Sequence, residues 1–177
     1  MIFLGIDPGL SGAIAMIPGK TNEAEVWDMP IYKAGTKSFY DIAELQGLFV
    51  LAREKAYTGP GSSAEIFCVI ERQNPFPGEG VRSVFSLGYG TGILETLLVT
   101  NEISYKRVQA KQWQQACGIS GKGQAVKAFS FQHARNLFPH VQLVTPRGRQ
   151  LDGRSDALNI AYYAATHAQF LTGGSRG

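Results

Sequence analysis

The chain opens with short apolar runs and then moves to longer stretches with helical spacing. Ile2-Phe3-Leu4-Gly5-Ile6 is an unbroken apolar run, and residues 12–17 and 24–28 follow it across Gly- and Pro-containing turns; all three read as β-strands. Residues 38–56 carry apolar positions at helical spacing and predict a helix, while 65–71, built on Ile66-Phe67-Cys68-Val69-Ile70, predict a fourth strand. From there the pattern turns helical. Helices are expected at 83–99, 109–117, 121–137 and 153–170, with short strands at 103–108 and 141–144. Tightly linked strands followed by alternating helices and strands predict an α/β fold, a mixed sheet with helices packed on its faces. No internal repeat is visible. Thr58-Gly59-Pro60-Gly61-Ser62-Ser63 reads as a surface loop and residues 173–177 as a frayed tail, so the expected organisation is a single domain over 1–172 with a flexible tail over 173–177.

Composition narrows the class. A chain of 177 residues with 44% hydrophobic content can bury one sizeable core and leaves little room for a second domain. No apolar stretch reaches transmembrane length, and the N-terminus begins with a strand-like run in place of a signal or transit peptide, so no membrane and a cytoplasmic location, in a bacterium or a phage-infected host, are expected. The two cysteines, Cys68 and Cys117, fall in apolar surroundings and read as core residues, which excludes a disulfide framework or a Cys-based zinc site.

The net charge of +3 hides an asymmetry. Residues 1–71 hold 5 basic and 9 acidic side chains, whereas residues 72–177 hold 12 and 5. Between Ile103 and Leu151 lie Lys106, Arg107, Lys111, Lys122, Lys127, Arg135, Arg147 and Arg149, with no Asp or Glu. Such a stretch suits a polyanion, although a solvated basic face without a partner has the same composition.

Four carboxylates carry the candidate chemistry. Asp7 closes the first apolar run, Glu71 closes the run 66–70, and Asp152 and Asp156 open the last helical pattern. Asp7-Pro8-Gly9 is also what a tight turn wants, and Asp152 or Asp156 alone could serve as a helix cap. Neither explanation covers Glu71 at the exit of an apolar strand. Acids are seldom buried without a partner, so acids at the ends of the two most apolar strands point to a cation. Oxygen-only donors suit a hard dication, and clustered carboxylates can hold two ions for phosphodiester hydrolysis.

Phe3-Leu4-Gly5-Ile6-Asp7-Pro8-Gly9-Leu10-Ser11-Gly12-Ala13-Ile14, Val69-Ile70-Glu71 and Asp156-Ala157-Leu158-Asn159-Ile160-Ala161 resemble, in order and spacing, the three catalytic blocks of RuvC-type Holliday junction resolvases of the RNase H-like superfamily. The match spans nearly the whole chain. Glu71-Arg72-Gln73-Asn74-Pro75-Phe76-Pro77, the run Gly88-Tyr89-Gly90-Thr91-Gly92 and Asp152-Gly153-Arg154-Ser155-Asp156 look more like the bacteriophage and chloroplast branch than the cellular bacterial enzymes. The resemblance implies an RNase H-like sheet of three antiparallel N-terminal strands followed by parallel ones. It implies a crossover junction endodeoxyribonuclease acting in recombination and repair, with two Mg²⁺ per active site, for which Mn²⁺ can substitute.

Carried over by position, the resemblance makes Asp7, Glu71 and Asp156 catalytic metal ligands and Asp152 the fourth member. The cellular pattern places its last two acids three apart, which would fall on Gly153. The chloroplast-type pattern instead puts a functional His four before the last acid, where Asp152 stands, so Asp152 is a ligand or a base for the attacking water. DNA contacts are expected from Lys122, Lys127, Lys106, Arg107, Lys111 and Arg154. Phe76 resembles an aromatic placed near the junction crossover, to be weighed against a loop aromatic folded onto the core. The partner is branched DNA, and paired nicks on a two-fold substrate imply a homodimer, to which the small residues at 86–92 could contribute a close helix contact. Trp27 and Trp113 are assigned to packing, and His133, His140 and His167 show no metal-ligand grouping. Alternatives from other classes are a sugar kinase or ATPase with a similar strand turn, for which the chain is too short, another RNase H-like nuclease, and a noncatalytic junction-binding protein.

Overall fold

A computed structural model describes residues 1–19, 23–57, 65–75, 78–121 and 123–171. The expected loop at 58–63 and tail at 173–177 lie outside the described residues, as do Phe76 and Lys122. In chain order the elements are β1 (Ile2–Asp7), β2 (Ala13–Pro18), β3 (Glu25–Asp28), β4 (Ile31–Ala34), β5 (Lys37–Tyr40), α1 (Ile42–Tyr57), β6 (Ile66–Glu71), α2 (Val81–Thr100), β7 (Ser104–Val108), α3 (Ala110–Ala116), α4 (Gln124–Leu137) and α5 (Asp152–Leu171). Five strands form one sheet in the order β3-β2-β1-β6-β7, and β4 and β5 form a separate hairpin. The pairs β1–β2 and β2–β3 are antiparallel, while β1–β6 and β6–β7 are parallel. This is the mixed sheet expected from the sequence.

Why the central strands read as unbroken apolar runs is now plain: both faces of the sheet are covered. Ile2, Leu4 and Ile6 of β1 and Ile66, Cys68 and Ile70 of β6 pack with Leu45 and Phe49 of α1 and Leu94 and Leu98 of α2. The alternate residues Phe3, Phe67 and Val69 pack on the other face with Trp113 of α3 and Ile160 of α5, and Ala13, Ala15 and Ile17 of β2 meet α4 and α5 there. Period-two alternation then fixes the acids. Asp7 continues the phase of Phe3 and Gly5, and Glu71 that of Phe67 and Val69, so both carboxylates end neighbouring parallel strands on the face that α5 covers.

Gly5 sets how closely that helix lies. A Cβ at Gly5 would stand 2.2 Å from the Ala161 nitrogen and 2.3 Å from the Ala157 oxygen, so only a residue without a side chain lets the α5 backbone rest directly on β1.

Two expectations are corrected. Residues 38–40 do not begin a helix; they belong to the β4–β5 hairpin, which turns at Gly35 with φ +62°, and α1 starts at Ile42. The start signal is Asp41, whose Oδ1 accepts the Glu44 N–H at 3.0 Å and caps the first turn. Residues 141–144 form no ladder strand, because their backbone closes on its own neighbourhood. Val144 makes an isolated bridge to Gln150, Thr145 N–H donates to the Arg149 carbonyl at 2.8 Å, and Leu151 N–H to that of Leu143 at 2.9 Å. Cys68 and Cys117 are buried free thiols. No described helix is long and apolar enough to cross a membrane.

Candidate active site

The site forms where β1, β6 and the first turns of α5 end together. The turn after Asp7 is held by Gly12 N–H donating to the Gly9 carbonyl at 3.0 Å, with Gly9 at φ +120°, a conformation glycine adopts without strain. That turn abuts α5: a Cβ at Gly153 would lie 2.5 Å from the Ser11 oxygen. Asp7, Glu71, Asp152 and Asp156 are each half-buried.

Asp7 is held well above the usual carboxylate range, first by burial and then by the charges of Asp156, Glu71 and Asp152. Asp156 is pushed up to about 6, by burial and by Glu71 and Asp152, against an opposing hydrogen bond from Ser130 and the charge of Lys127. Burial also raises Glu71, opposed by hydrogen bonds from Trp113 and Gln73. The four acids therefore share one electrostatic neighbourhood with too little positive charge to settle it.

Glu71, Asp156 and Asp152 are each anchored by their own donors. Trp113 Nε1–H donates to Glu71 Oε2 at 2.7 Å and Gln73 Nε2–H to Oε1 at 3.2 Å. Ser130 Oγ–H donates to Asp156 Oδ1, and Asn159 Nδ2–H donates to Ser130 Oγ at 2.8 Å and to the Ser130 carbonyl at 2.9 Å. Asn159 Oδ1 is in turn 2.8 Å from His133 Nδ1. Lys127 Nζ donates to Asp152 Oδ2 at 2.8 Å. Ser130, Asn159 and Trp113 are fully buried, so these donors are rigid.

As a donor set, four carboxylates offer only oxygen, the chemistry that Mg²⁺ or Mn²⁺ accepts, and the raised proton affinity of Asp7, Glu71 and Asp156 marks charge that a dication would relieve. Among the described residues, no three His, Cys, Asp or Glu side chains are gathered closely enough to hold a metal ion as they stand. Oxygen-only donors are the chemistry of a hard dication rather than of a tetrahedral zinc site with Cys or His ligands.

The other candidates are distributed differently. Lys106 and Lys111 are exposed, as is Lys127, which faces Asp152. Arg107 of β7 pairs with Glu95 of α2. Arg154 grips Asp28 through Nε at 2.7 Å and Nη2 at 3.0 Å and reaches the Gln142 carbonyl at 3.1 Å, tying α5 to β3. Phe76 and Lys122 fall outside the described residues. Sequence reasoning missed Trp113, Gln73, Ser130 and Asn159. Trp113 does pack in the core as expected, but its indole N–H also holds Glu71 from 42 positions away. His133 meets Asn159 through Nδ1 and packs edge-on against Tyr162.

No protein-family model matches the chain, and no curated protein is similar enough in sequence to count as a relative. Solved structures do match. The chain is similar to Thermus thermophilus RuvC, with 20% identity and a TM-score of 0.53 over 97% of this chain and 98% of that one. It is likewise similar to T. thermophilus RuvC in complex with a Holliday junction substrate, with 16% identity and a TM-score of 0.55 over 96% of each chain. At such identities the likeness establishes the fold, the RNase H-like mixed sheet that RuvC shares.

Proposed function

We propose that this chain is a divalent-metal-dependent endodeoxyribonuclease that resolves four-way DNA junctions by paired symmetric nicks, leaving 5′ phosphate and 3′ hydroxyl ends. One observation carries the reading. In a fold shared with RuvC, the carboxylates of Asp7, Glu71 and Asp156 end β1, end β6 and open α5; burial raises all three pKa values, and repulsion from neighbouring carboxylates raises those of Asp7 and Asp156 further. That one solved RuvC structure holds a Holliday junction substrate favours branched DNA as the partner.

Asp7, Glu71 and Asp156 would hold the metal, with Asp152 as a fourth ligand or as the base for the attacking water. Two Mg²⁺ ions, when bound, supply a nucleophilic water of lowered pKa and offset the charge on the departing 3′ oxygen. The protein's own donors do the orienting. Trp113 and Gln73 fix both oxygens of Glu71, and Ser130 fixes Oδ1 of Asp156, so each acid is presented in one orientation. Lys127 leaves Asp152 only partly neutralised and places a cation at the mouth of the site, where a phosphate approaches. Lys106 and Lys111 extend this basic surface, and Arg107 and Arg154 would reach DNA only by giving up part of their pairing with Glu95 and Asp28.

The partner copy is assigned to α2. Val81, Phe85 and Tyr89 stand one turn apart and are 87%, 74% and 50% exposed, with the Phe85 and Tyr89 rings stacked at 6.3 Å. Gly88 and Gly92 are exposed beside them, with open space where a Cβ would lie. An apolar helix face of this kind suits a homodimer. Membership of the bacteriophage and chloroplast branch, and action in the cytoplasm, rest on the sequence alone.

Asp7→Asn and Glu71→Gln test the assignment, because they remove ligand charge while keeping shape. Both should abolish junction cleavage in Mg²⁺ and keep junction affinity within about threefold; unchanged cleavage by both would overturn it.

A further inference from the structure

We propose that the cleft between the β4–β5 hairpin and the first turns of α2 is a nucleotide subsite, holding the deoxynucleotide next to the scissile phosphate by its sugar–phosphate backbone. The proposal rests on the nuclease reading and adds to it a binding site outside the carboxylates and the basic stretch.

The cleft measures about 370 Å³ and is lined by Ser11, Ser38, Tyr40, Ser83 and Ser86, with Leu10 and Leu87 between them. Hydroxyls donate to phosphate and sugar oxygens without reading sequence, and small apolar walls suit the deoxyribose. The Ser83 hydroxyl is engaged by Glu79, which leaves Ser11, Ser38 and Ser86 as the donors. One end of the cleft is Gly9 and Ser11, in the turn that directly follows Asp7. Tyr40, on its wall, lies against the Gly9 backbone amide and within reach of the Asp7 charge. Its ring also occupies the space that a Cβ at Gly90 would need, only 2.2 Å from the hydroxyl, so the hairpin packs closely on α2 beside the cleft. A strand that presents a phosphate to Asp7 thus passes its neighbouring nucleotide over these hydroxyls.

Charge supports the same occupant. The hairpin register pairs Ile31 with Tyr40 and Lys33 with Ser38, so Lys33 shares the face of Ser38 and Tyr40 that borders the cleft. Lys33 is exposed and makes no ion pair among the described residues. An unpaired cation beside a hydroxyl-lined cleft, one turn from a carboxylate centre, matches a phosphodiester.

The test compares wild type with Lys33→Ala, Lys33→Glu and Ser38→Ala/Ser86→Ala. Junction affinity is measured in Ca²⁺, the single-turnover rate at saturating protein in Mg²⁺, and thermal melting confirms folding. The subsite predicts a rise in Kd of about tenfold for Lys33→Ala, larger for Lys33→Glu, with the salt slope shallower by about one. It also predicts a saturating rate within about twofold of wild type, and loss of ethylation interference at the phosphate flanking the cut. Unchanged Kd and interference, or a reduced saturating rate at unchanged Kd, would overturn the subsite while leaving the nuclease reading intact. A wild-type protein that neither binds nor cuts junctions would overturn both.

Discussion

At Asp156 the electrostatics of the folded chain bear on both stability and the proposed chemistry. Its carboxyl is pushed up to about 6 from an ordinary value of 3.8, so between those values the native state binds more protons than the unfolded chain. Without divalent cation, the contribution of this group to stability is therefore greatest below about pH 4 and falls as pH rises to about 6, by up to about 3 kcal/mol. Asp156→Asn keeps an oxygen to accept from Ser130 and removes the titration. It should melt higher than wild type at pH 7 in EDTA and show a flatter profile between pH 4 and 6; an identical profile would contradict the assigned burial of charge. The acids themselves were legible in the sequence, because a carboxylate ending an apolar strand is costly unless used. Their anchors were not. Trp113 is 42 positions from Glu71, and Ser130 is 26 from Asp156, and no local pattern marks which buried donor will meet which acid after folding.

Among the elements, the close approach of α5 to β1 decides whether Asp7 and Asp156 meet. Gly5→Ala places a Cβ 2.2 Å from the Ala161 nitrogen, which forces the helix backbone outward. The expected cost is about 1–3 kcal/mol, with a larger loss of cleavage than of junction binding, because Asp156 moves with the helix. Wild-type activity in Gly5→Ala would show that the site tolerates a displaced α5. Strands were readable where an apolar run was buried on both faces, as in β1 and β6, and helices where apolar spacing ran long, as in α2 and α5. The β4–β5 hairpin was not. Its residues are largely exposed, Tyr32 and Phe39 stack on each other at 5.6 Å rather than in the core, and the apolar spacing of α1 runs on into the hairpin across the Asp41 cap.

At the scale of the whole molecule, the sheet places the carboxylates at one end and leaves the apolar face of α2 uncovered. Phe85→Glu should shift the protein from dimer to monomer in sedimentation analysis while preserving the fold. Such a monomer should also lose coordinated nicking of the two strands more than it loses single nicks. A variant that stays dimeric would move the interface off α2. The fold follows from alternation and burial, whereas the proposed dimer would depend on a second chain and has only an exposed stripe on α2 to suggest it. The measurement that decides most is digestion of end-labelled four-way junctions, linear duplex and RNA/DNA hybrid by the wild-type protein, with and without Mg²⁺. A junction resolvase gives paired nicks at symmetric positions on the four-way junction only, dependent on Mg²⁺ and absent in Asp7→Asn. Cleavage of the hybrid in preference to the junction, or nicking that survives in Asp7→Asn or without divalent metal, would contradict it.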